Sequence, residues 1–146
     1  MSKVGDKERI AQNRVVKLFQ DELKYRYLGN LEKEENNSNV DEALLTTFLT
    51  KKGYTKNQIG KALYEFYKSV NINTHDDLYQ ANKDVYSQLR YGIKVKEDAG
   101  ENKETIYLID WKNPLENDFA IAEEVTIKGV HNKRPDIVIY VNGIAL

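Results

Sequence analysis

Residues 134–146 read Arg134-Pro135-Asp136-Ile137-Val138-Ile139-Tyr140-Val141-Asn142-Gly143-Ile144-Ala145-Leu146, and this stretch decides the fold. The run from Asp136 to Val141 is almost continuously apolar, as expected of a strand that is covered on both faces of a sheet. The following Asn142-Gly143 pair favours a type I′ hairpin turn, because both central residues of that turn need a positive φ. We therefore predict a central strand that returns as a hairpin, with Asp136 at its mouth.

Strand patterns also precede this stretch. Residues 93–95 alternate apolar side chains with lysine, and residues 105–110 read as the returning strand of a hairpin. In residues 119–127 the side chains of Phe119, Ile121, Val125 and Ile127 share one face, with Glu123 among them. The sequence thus predicts a strand region over about residues 93–146.

The chain before residue 92 has the periodicity of helices, with a first helix predicted over about residues 7–27. The inward positions predicted for four helices are Ala11, Val15, Leu18, Phe19 and Leu23; Leu44, Leu45, Phe48 and Leu49; Ile59, Ala62, Leu63, Phe66, Tyr67 and Val70; and Leu78, Val85 and Leu89.

Capping signals mark where these helices begin and end. Asn39 with Glu42, and Thr55 with Gln58, have the spacing of capping boxes, and Thr74 is predicted to cap the fourth helix. Glycines after the second and fourth helices are predicted stops. The helical region therefore covers about residues 7–91.

Composition excludes several classes of protein. The 146 residues fit one domain, and 22 basic against 23 acidic residues give a net charge of −1, so no overall basic charge indicates nucleic-acid binding. The absence of cysteine excludes thiolate metal sites and disulfide scaffolds. No stretch approaches the ~20 apolar residues of a membrane span, and the charged N-terminus is not a secretory signal. We expect a cytoplasmic protein.

Two acidic residues are candidates for metal chemistry. Pro135 restrains the approach to Asp136, and the apolar strand behind it provides a rigid support for a Mg²⁺ ligand. Glu123 points toward the core in the predicted strand, where an unpaired carboxylate is costly and a metal or a base would offset its burial. The alternatives are a plain turn at Asp136 and a solvated strand end at Glu123.

A basic cluster lies immediately before Asp136. It consists of Lys128, His131, Lys133 and Arg134, and next to a carboxylate site it could contact a phosphate backbone. The alternative is a solvated turn. Neither His75 nor His131 has a metal-ligand partner at useful spacing, and the chain contains no Walker-type loop for ATP.

Several segments together resemble the N-terminal region of the restriction (R) subunit of type I restriction–modification enzymes. They are Gln12-Asn13-Arg14-Val15-Val16-Lys17-Leu18-Phe19, Tyr25-Arg26-Tyr27-Leu28-Gly29, Leu89-Arg90-Tyr91-Gly92-Ile93, Leu108-Ile109-Asp110-Trp111, Asn117-Asp118-Phe119-Ala120-Ile121-Ala122-Glu123-Glu124-Val125-Thr126, and Lys133 to Gly143. The last segment is the most specific, and the resemblance covers essentially the whole chain.

The resemblance implies an α/β fold and a nuclease site. The expected architecture is restriction-endonuclease-like, a mixed β-sheet flanked by helices, with residues 1–146 forming the N-terminal part of a PD-(D/E)XK domain. Asp136 matches the motif aspartate, and Glu8 matches, less closely, a first-helix glutamate of such nucleases. The Glu-x-Lys half of the motif would follow Leu146, so the domain is expected to be incomplete at its C-terminus and inactive alone.

The resemblance also implies the setting of the parent protein. It would cleave double-stranded DNA by Mg²⁺-dependent hydrolysis coupled to ATP-driven translocation, with ATP bound outside this chain. Its partners would be the methylation and specificity subunits. Two alternatives remain open at this stage. One is a non-catalytic module, in which a helical insert over residues 39–91, larger than a minimal nuclease core needs, docks partner subunits or a neighbouring motor domain. The other is a nuclease-like domain that has lost activity.

Overall fold

The computed structural model describes residues 4–31, 39–71, 77–125 and 135–146. The chain divides into two compact units. The first, here called the sheet unit, comprises Met1–Glu42 and Asp118–Leu146, and the second, the inserted unit, is Ala43–Asn117. The second unit thus lies within the first in the sequence; it overlaps the predicted insert of residues 39–91 and extends to Asn117.

The sheet unit is built on a mixed sheet. Its elements are α1 (Val4–Asp21), β1 (Arg26–Asn30), β4 (Phe119–Glu123), β5 (Ile137–Val141) and β6 (Ile144–Ala145). The strand order is β1-β4-β5-β6, in which β1 and β4 run parallel and the other neighbours are antiparallel. The predicted α/β class with a mixed sheet is confirmed.

The strands β4 and β5 form the centre of this sheet. Cross-strand register places Ile121 opposite Ile139 and Glu123 opposite Ile137. One face carries a compact apolar cluster of Ala120, Ala122, Val125, Val138 and Tyr140, with Leu28, Leu31 and Ala145 packed against it. Since side chains alternate along a strand, the opposite face carries Phe119, Ile121 and Glu123 of β4. The predicted central strand is confirmed as β5, but on the face opposite the apolar cluster Ile137 and Ile139 are only half-buried.

The hairpin turn has the geometry that its sequence predicts. Asn142 and Gly143 have φ of 53° and 82°, the positive values that a type I′ turn requires. Asn142 is fully buried, and its Oδ1 accepts a hydrogen bond from the amide of Asp118 at 2.7 Å. The amide of Asp41 donates to the carbonyl of Gly143 at 2.6 Å. The turn therefore holds the two chain segments that lead into and out of the inserted unit.

The first helix differs from its prediction in length and in buried face. It ends at Asp21, and the last two residues of the predicted helix, Arg26 and Tyr27, begin β1 instead. Leu18 and Leu23 are about half exposed, whereas Val16 is buried and Phe19 half-buried. The packed face instead contains Gln12, Val16 and Phe19. Because Gln12 is polar, apolar periodicity alone favoured the neighbouring stripe of the helix, and the prediction was wrong. The predicted inward positions Ala11 and Val15 are also exposed.

The inserted unit contains the remaining helices and a small hairpin of its own. Its elements are α2 (Glu42–Lys51), α3 (Lys56–Val70), α4 (Leu78–Tyr91), β2 (Ile93–Val95), β3 (Glu104–Ile106) and a 3₁₀ turn (Pro114–Glu116). The strands β2 and β3 pair with each other in a separate two-stranded sheet and contact α3. The predicted strand region of residues 93–146 is therefore split between the two units.

Capping explains where two of these helices begin. Thr55 and Gln58 form a reciprocal capping box at α3, as predicted, and the predicted core face of α3 is largely buried. The fourth helix begins at Leu78 with Asp77 as its cap, so the prediction of Thr74 as cap is wrong; Thr74 itself lies outside the described residues. Leu78 is 58% exposed, contrary to its predicted inward position.

The strands β3 and β4 are shorter than predicted. The first ends at Ile106, although Leu108 and Ile109 remain buried in the segment that follows it. The second ends at Glu123, because Glu124 has a φ of 54° and leaves the extended conformation. Ile127 lies outside the described residues. No described helix is long and apolar enough to cross a membrane.

We predict that Asn142→Ala destabilises the protein more than Asn142→Gly. Both changes remove the acceptor of the Asp118 amide, at a cost of about 1–3 kcal/mol. Only alanine adds the strain of a left-handed backbone, roughly 1–2 kcal/mol. Urea unfolding of the three proteins measures the order, and an alanine variant as stable as wild type would contradict this role for the turn.

Candidate functional site

The end of β4 carries a buried carboxylate. Glu123 is only 4% exposed and lies on the sheet face opposite the apolar cluster. Three groups compensate for its burial: its Oε2 accepts from Gln12 Nε2 at 3.3 Å and lies 3.8 Å from the Arg9 guanidinium, and the hydroxyl of Tyr27 is hydrogen-bonded to it. The predicted inward orientation of Glu123 is thus confirmed, and the solvated alternative is wrong.

The Gln12 amide is surrounded by oxygen atoms. Its Nε2 lies 3.3 Å from each of three acceptors: Glu123 Oε2, Glu124 Oε1 and the backbone carbonyl of Asp136. The Glu124 amide donates to the same Asp136 carbonyl at 3.0 Å. We call Gln12, Glu123, Glu124 and Asp136 the Gln12 cluster. Three oxygens, from the end of β4, the residue after it and the residue before β5, therefore converge on one point beneath α1.

Local backbone geometry produces this convergence. The positive φ of Glu124 turns the chain directly after β4, so that two consecutive glutamates both face the same helix. Arg9 lies one turn before Gln12 on α1 and reaches Glu124 at 3.9 Å as well as Glu123. One helix face thus supplies both a cation and an amide to the acidic strand end.

Asp136 lies at the mouth of β5, as predicted. The residue is exposed and directly precedes the first residue of the strand, Ile137. Its carbonyl, bonded to Glu124 and Gln12, fixes its backbone to the end of β4. Asp136 and Glu123 are therefore brought to the same end of the central strand pair. The role of Asp136 as a metal ligand stays a prediction.

The other predicted site residues are not assembled in the same way. Glu8 lies on α1 and is exposed, without a hydrogen bond or ion pair to any described residue. Lys128, His131, Lys133 and Arg134 lie outside the described residues, as does His75. Their predicted contact with a phosphate backbone stays a prediction.

The donor atoms present suit a hard divalent cation. Mg²⁺ takes carboxylate and carbonyl oxygens and is usually held by one or two carboxylates together with water and substrate phosphates. The Gln12 cluster offers the carboxylates of Glu123 and Glu124 and the carbonyl of Asp136, and the exposed Asp136 carboxylate lies at the same end of the strand pair. Across the described ranges, no three His, Cys, Asp or Glu side chains are grouped to hold a metal by themselves. The chemistry fits Mg²⁺ if substrate or water completes the ligand set.

Sequence reasoning missed the residues that surround Glu123. Arg9 lies in no sequence motif, and Gln12 and Tyr27 lie only in the segments that carry the family resemblance. A usable signal existed for Tyr27, because Tyr25 to Leu28 is rich in residues that favour strands. For Arg9 and Gln12 no local signal exists, since their role depends on a strand more than 100 residues away.

The pKa of Tyr27 depends in part on the buried carboxylate of Glu123. Burial of the phenol and the adjacent Glu123 carboxylate raise the pKa of Tyr27 above its ordinary value of 10.0, and Arg9 acts in the opposite direction. The folded protein therefore holds this proton more tightly than the unfolded chain does. The resulting contribution to stability is complete below about pH 10 and is lost as the pH rises through the pKa of the folded state.

We predict that Glu123→Gln lowers the pKa of Tyr27 toward its ordinary value. The substitution removes the negative charge but retains the burial of the phenol, so a partial decrease is expected. NMR titration of ¹³C-labelled tyrosine, with Tyr27→Phe to assign the signal, measures it. Glu101→Gln, an equal change in charge at an exposed site in the inserted unit, should leave the titration unchanged. An unaltered Tyr27 pKa in Glu123→Gln would contradict the described contact.

Comparison with known proteins places the chain in a family. The profile described as "Type I restriction enzyme R protein N terminus" matches residues 6–146. A similar protein, from Methanocaldococcus jannaschii, is described as a putative type I restriction enzyme MjaIXP endonuclease subunit. It is 29% identical over 86 residues, which cover 55% of this chain and 8% of that protein. No solved structure matches.

These findings define first a class and then a family. The mixed sheet, with an acidic end beneath a helix, is that of an α/β protein compatible with a nuclease-like fold. The chain belongs to the family of type I restriction enzyme R proteins and corresponds to their N-terminal region. Membership of a restriction system follows from the family. The aligned part spans only a small fraction of the archaeal relative.

Proposed function

We propose that this chain supplies part of the DNA-cleaving site of a type I restriction enzyme R subunit. The observation that carries the proposal is the fixed position of Asp136, whose backbone is bonded to the acidic end of β4 at the mouth of the central strand β5. Family membership supports the same conclusion. The substrate of the proposal is double-stranded DNA in a cytoplasmic restriction complex.

In this proposal Asp136 and Glu123 hold Mg²⁺. The ion would neutralise phosphate charge and lower the pKa of an attacking water. Gln12 and Arg9 contact the Glu123 carboxylate from the helix side and orient it. The Glu-x-Lys pair that the resemblance implies is not found in β6 or Leu146, so we expect the 146 residues alone not to cleave DNA.

The principal test is Asp136→Ala in the complete R subunit. We expect DNA cleavage to fall by more than about 100-fold, because even outer-shell partners of a catalytic metal are worth about 10–100-fold. ATP hydrolysis should persist, since ATP is proposed to bind elsewhere in the subunit. Asp98→Ala, at an acidic residue of the inserted unit, is the matched control and should cleave normally.

Three outcomes would overturn the proposal. Loss of both cleavage and ATP hydrolysis in Asp136→Ala would assign a structural role to this residue. Robust Mg²⁺-dependent cleavage by the 146-residue chain would show that the remaining catalytic groups lie within it. Normal cleavage by the Asp136→Ala subunit would identify an inactive nuclease-like domain or a different catalytic centre.

A second candidate function, docking of the methylation or specificity subunits, is supported by a cavity in the inserted unit. The cavity has a volume of about 380 Å³ and is lined by aromatic and basic side chains, among them Tyr107, Arg90 and Trp111. Trp111 is 49% exposed; its indole donates to the Leu89 carbonyl at 2.8 Å, and Arg90 lies over its ring. Exposed Trp, Tyr and Arg are the residue types that dominate protein interfaces.

We predict that Trp111→Ala weakens capture of the methylation and specificity subunits by the complete R subunit at least about tenfold, as expected of an interface hot spot. Leu115→Ala, at a residue 93% exposed and outside the cavity, is the control for general surface effects. Equal capture by wild type and both variants would exclude this cavity as the docking site.

A further inference from the structure

A second, strongly basic cavity lies in the inserted unit. It has a volume of about 730 Å³ and is lined by five lysines: Lys56, Lys61, Lys94, Lys96 and Lys103. We call it the lysine cleft. Glu65 is its one acidic lining residue, and it lies 3.8 Å from Lys68 outside the lining. In a chain with a net charge of −1, this is a local concentration of positive charge.

Three separate elements converge to build the lysine cleft. Lys94 lies on the exposed face of β2, because Ile93 and Val95 bury the opposite face, and Lys96 follows directly after the strand. Lys56 and Lys61 come from α3, and Lys103 precedes β3. An ordinary solvated helix face carries charges of alternating sign, whereas here lysines from separate elements gather in one place.

Most of these cations are uncompensated. Lys56, Lys94, Lys96 and Lys103 are exposed and make no ion pair with any residue in the described ranges. Lys61 differs, because its ammonium donates to the carbonyls of Lys96 and Glu97 and so fastens α3 to the end of β2. The cleft thus has one lysine that holds its walls and four that are available to an anion.

The lining also contains an unsatisfied acceptor. Gln88 Oε1 is buried and has no hydrogen-bond partner among the described residues. A buried acceptor without a partner is uncommon, and a ligand that donates an N–H or O–H would satisfy it. Tyr64 also lines the cleft and is 66% exposed; the Lys68 ammonium lies over one face of its ring, 5.4 Å from the centroid, and a flat group could stack on the other face.

From these observations we infer that the lysine cleft binds the phosphodiester backbone of a DNA strand. Lysine binds phosphate as a point charge, and lysine is depleted from the cores of protein–protein interfaces. The cleft therefore suits a polyphosphate better than an acidic protein. Nucleic-acid bases provide both the donors that Gln88 lacks and the flat surface for Tyr64. The lysines of the cleft indicate an anionic ligand, and the choice of DNA as that ligand rests on the proposed function.

The test is DNA binding by the 146-residue chain without Mg²⁺, so that no cleavage enters the measurement. Fluorescence anisotropy with labelled oligothymidylate and with a labelled duplex gives the dissociation constant between about 50 and 200 mM salt, where phosphate contacts have a large effect. The two probes share the phosphodiester chemistry and distinguish a single strand from one strand of a duplex. Binding of either probe supports the inference if substitution of the cleft lysines weakens it.

The decisive variant is Lys94→Gln/Lys96→Gln/Lys103→Gln, which leaves the structural Lys61 in place. The logarithm of the association constant falls linearly with log salt. We expect the magnitude of this slope to be smaller by roughly 2–3 in the variant, about one unit for each phosphate that it no longer neutralises. The corresponding arginine variant should retain the slope, since it keeps the three charges. Lys51→Gln/Lys83→Gln/Lys112→Gln makes the same charge change at exposed positions of the inserted unit outside the cleft and should bind like wild type.

Several results would overturn the inference. One is equal weakening by the cleft and control variants, which would indicate general electrostatics. Another is displacement of DNA by polyglutamate at lower charge concentration than by unlabelled DNA, which would indicate an acidic protein partner. Normal DNA binding by the cleft variant, together with abolished cleavage in Asp136→Ala, would reject the cleft and retain the proposed function. Abolished binding in the cleft variant with normal cleavage in Asp136→Ala would do the reverse.

Discussion

The burial of Glu123 is the constraint on which the sheet unit depends. A carboxylate that is 4% exposed cannot remain there without partners, because an unpaired buried charge is strongly destabilising. Its partners come from α1 and β1, so the demand for compensation ties together segments far apart in the sequence. This polar contact joins the first helix to the strand end, while several of the apolar side chains of the helix remain exposed.

This arrangement connects stability with chemistry. An apolar residue in place of Glu123 would pack in β4 without needing the Gln12 amide and the Arg9 guanidinium as partners. Buried ion pairs are often no more stabilising than apolar packing. The acidic strand end therefore carries an energetic cost that packing does not explain. Functional sites are where such costs are found. The helix α1 gives the carboxylates a partner from one side, consistent with the orienting role proposed for Gln12.

The sequence predicted the features that local chemistry determines. The Asn142-Gly143 turn, the capping box at Thr55 and the apolar character of β5 each depend on a few neighbouring residues, and each is found. Features that depend on distant partners were not predicted. Strand β1 was missed because its ladder partner, β4, lies far along the chain, and periodicity could not select between two neighbouring stripes of α1. Asp136 and Glu123 were recognisable from residue type and position, whereas Gln12 and Arg9 required the fold.

The Asn-Gly turn has a consequence for the architecture of the chain as a whole. Its two residues bond to Asp41 and Asp118, the positions that flank the inserted unit in the sequence. The sheet unit thus closes its own gap, independent of what lies between these positions. Once the ends of a loop are fixed, doubling its length costs only about 0.6 kcal/mol in closure entropy. The segment between them is therefore free to be lengthened, shortened or exchanged in evolution while the sheet that carries Asp136 stays intact.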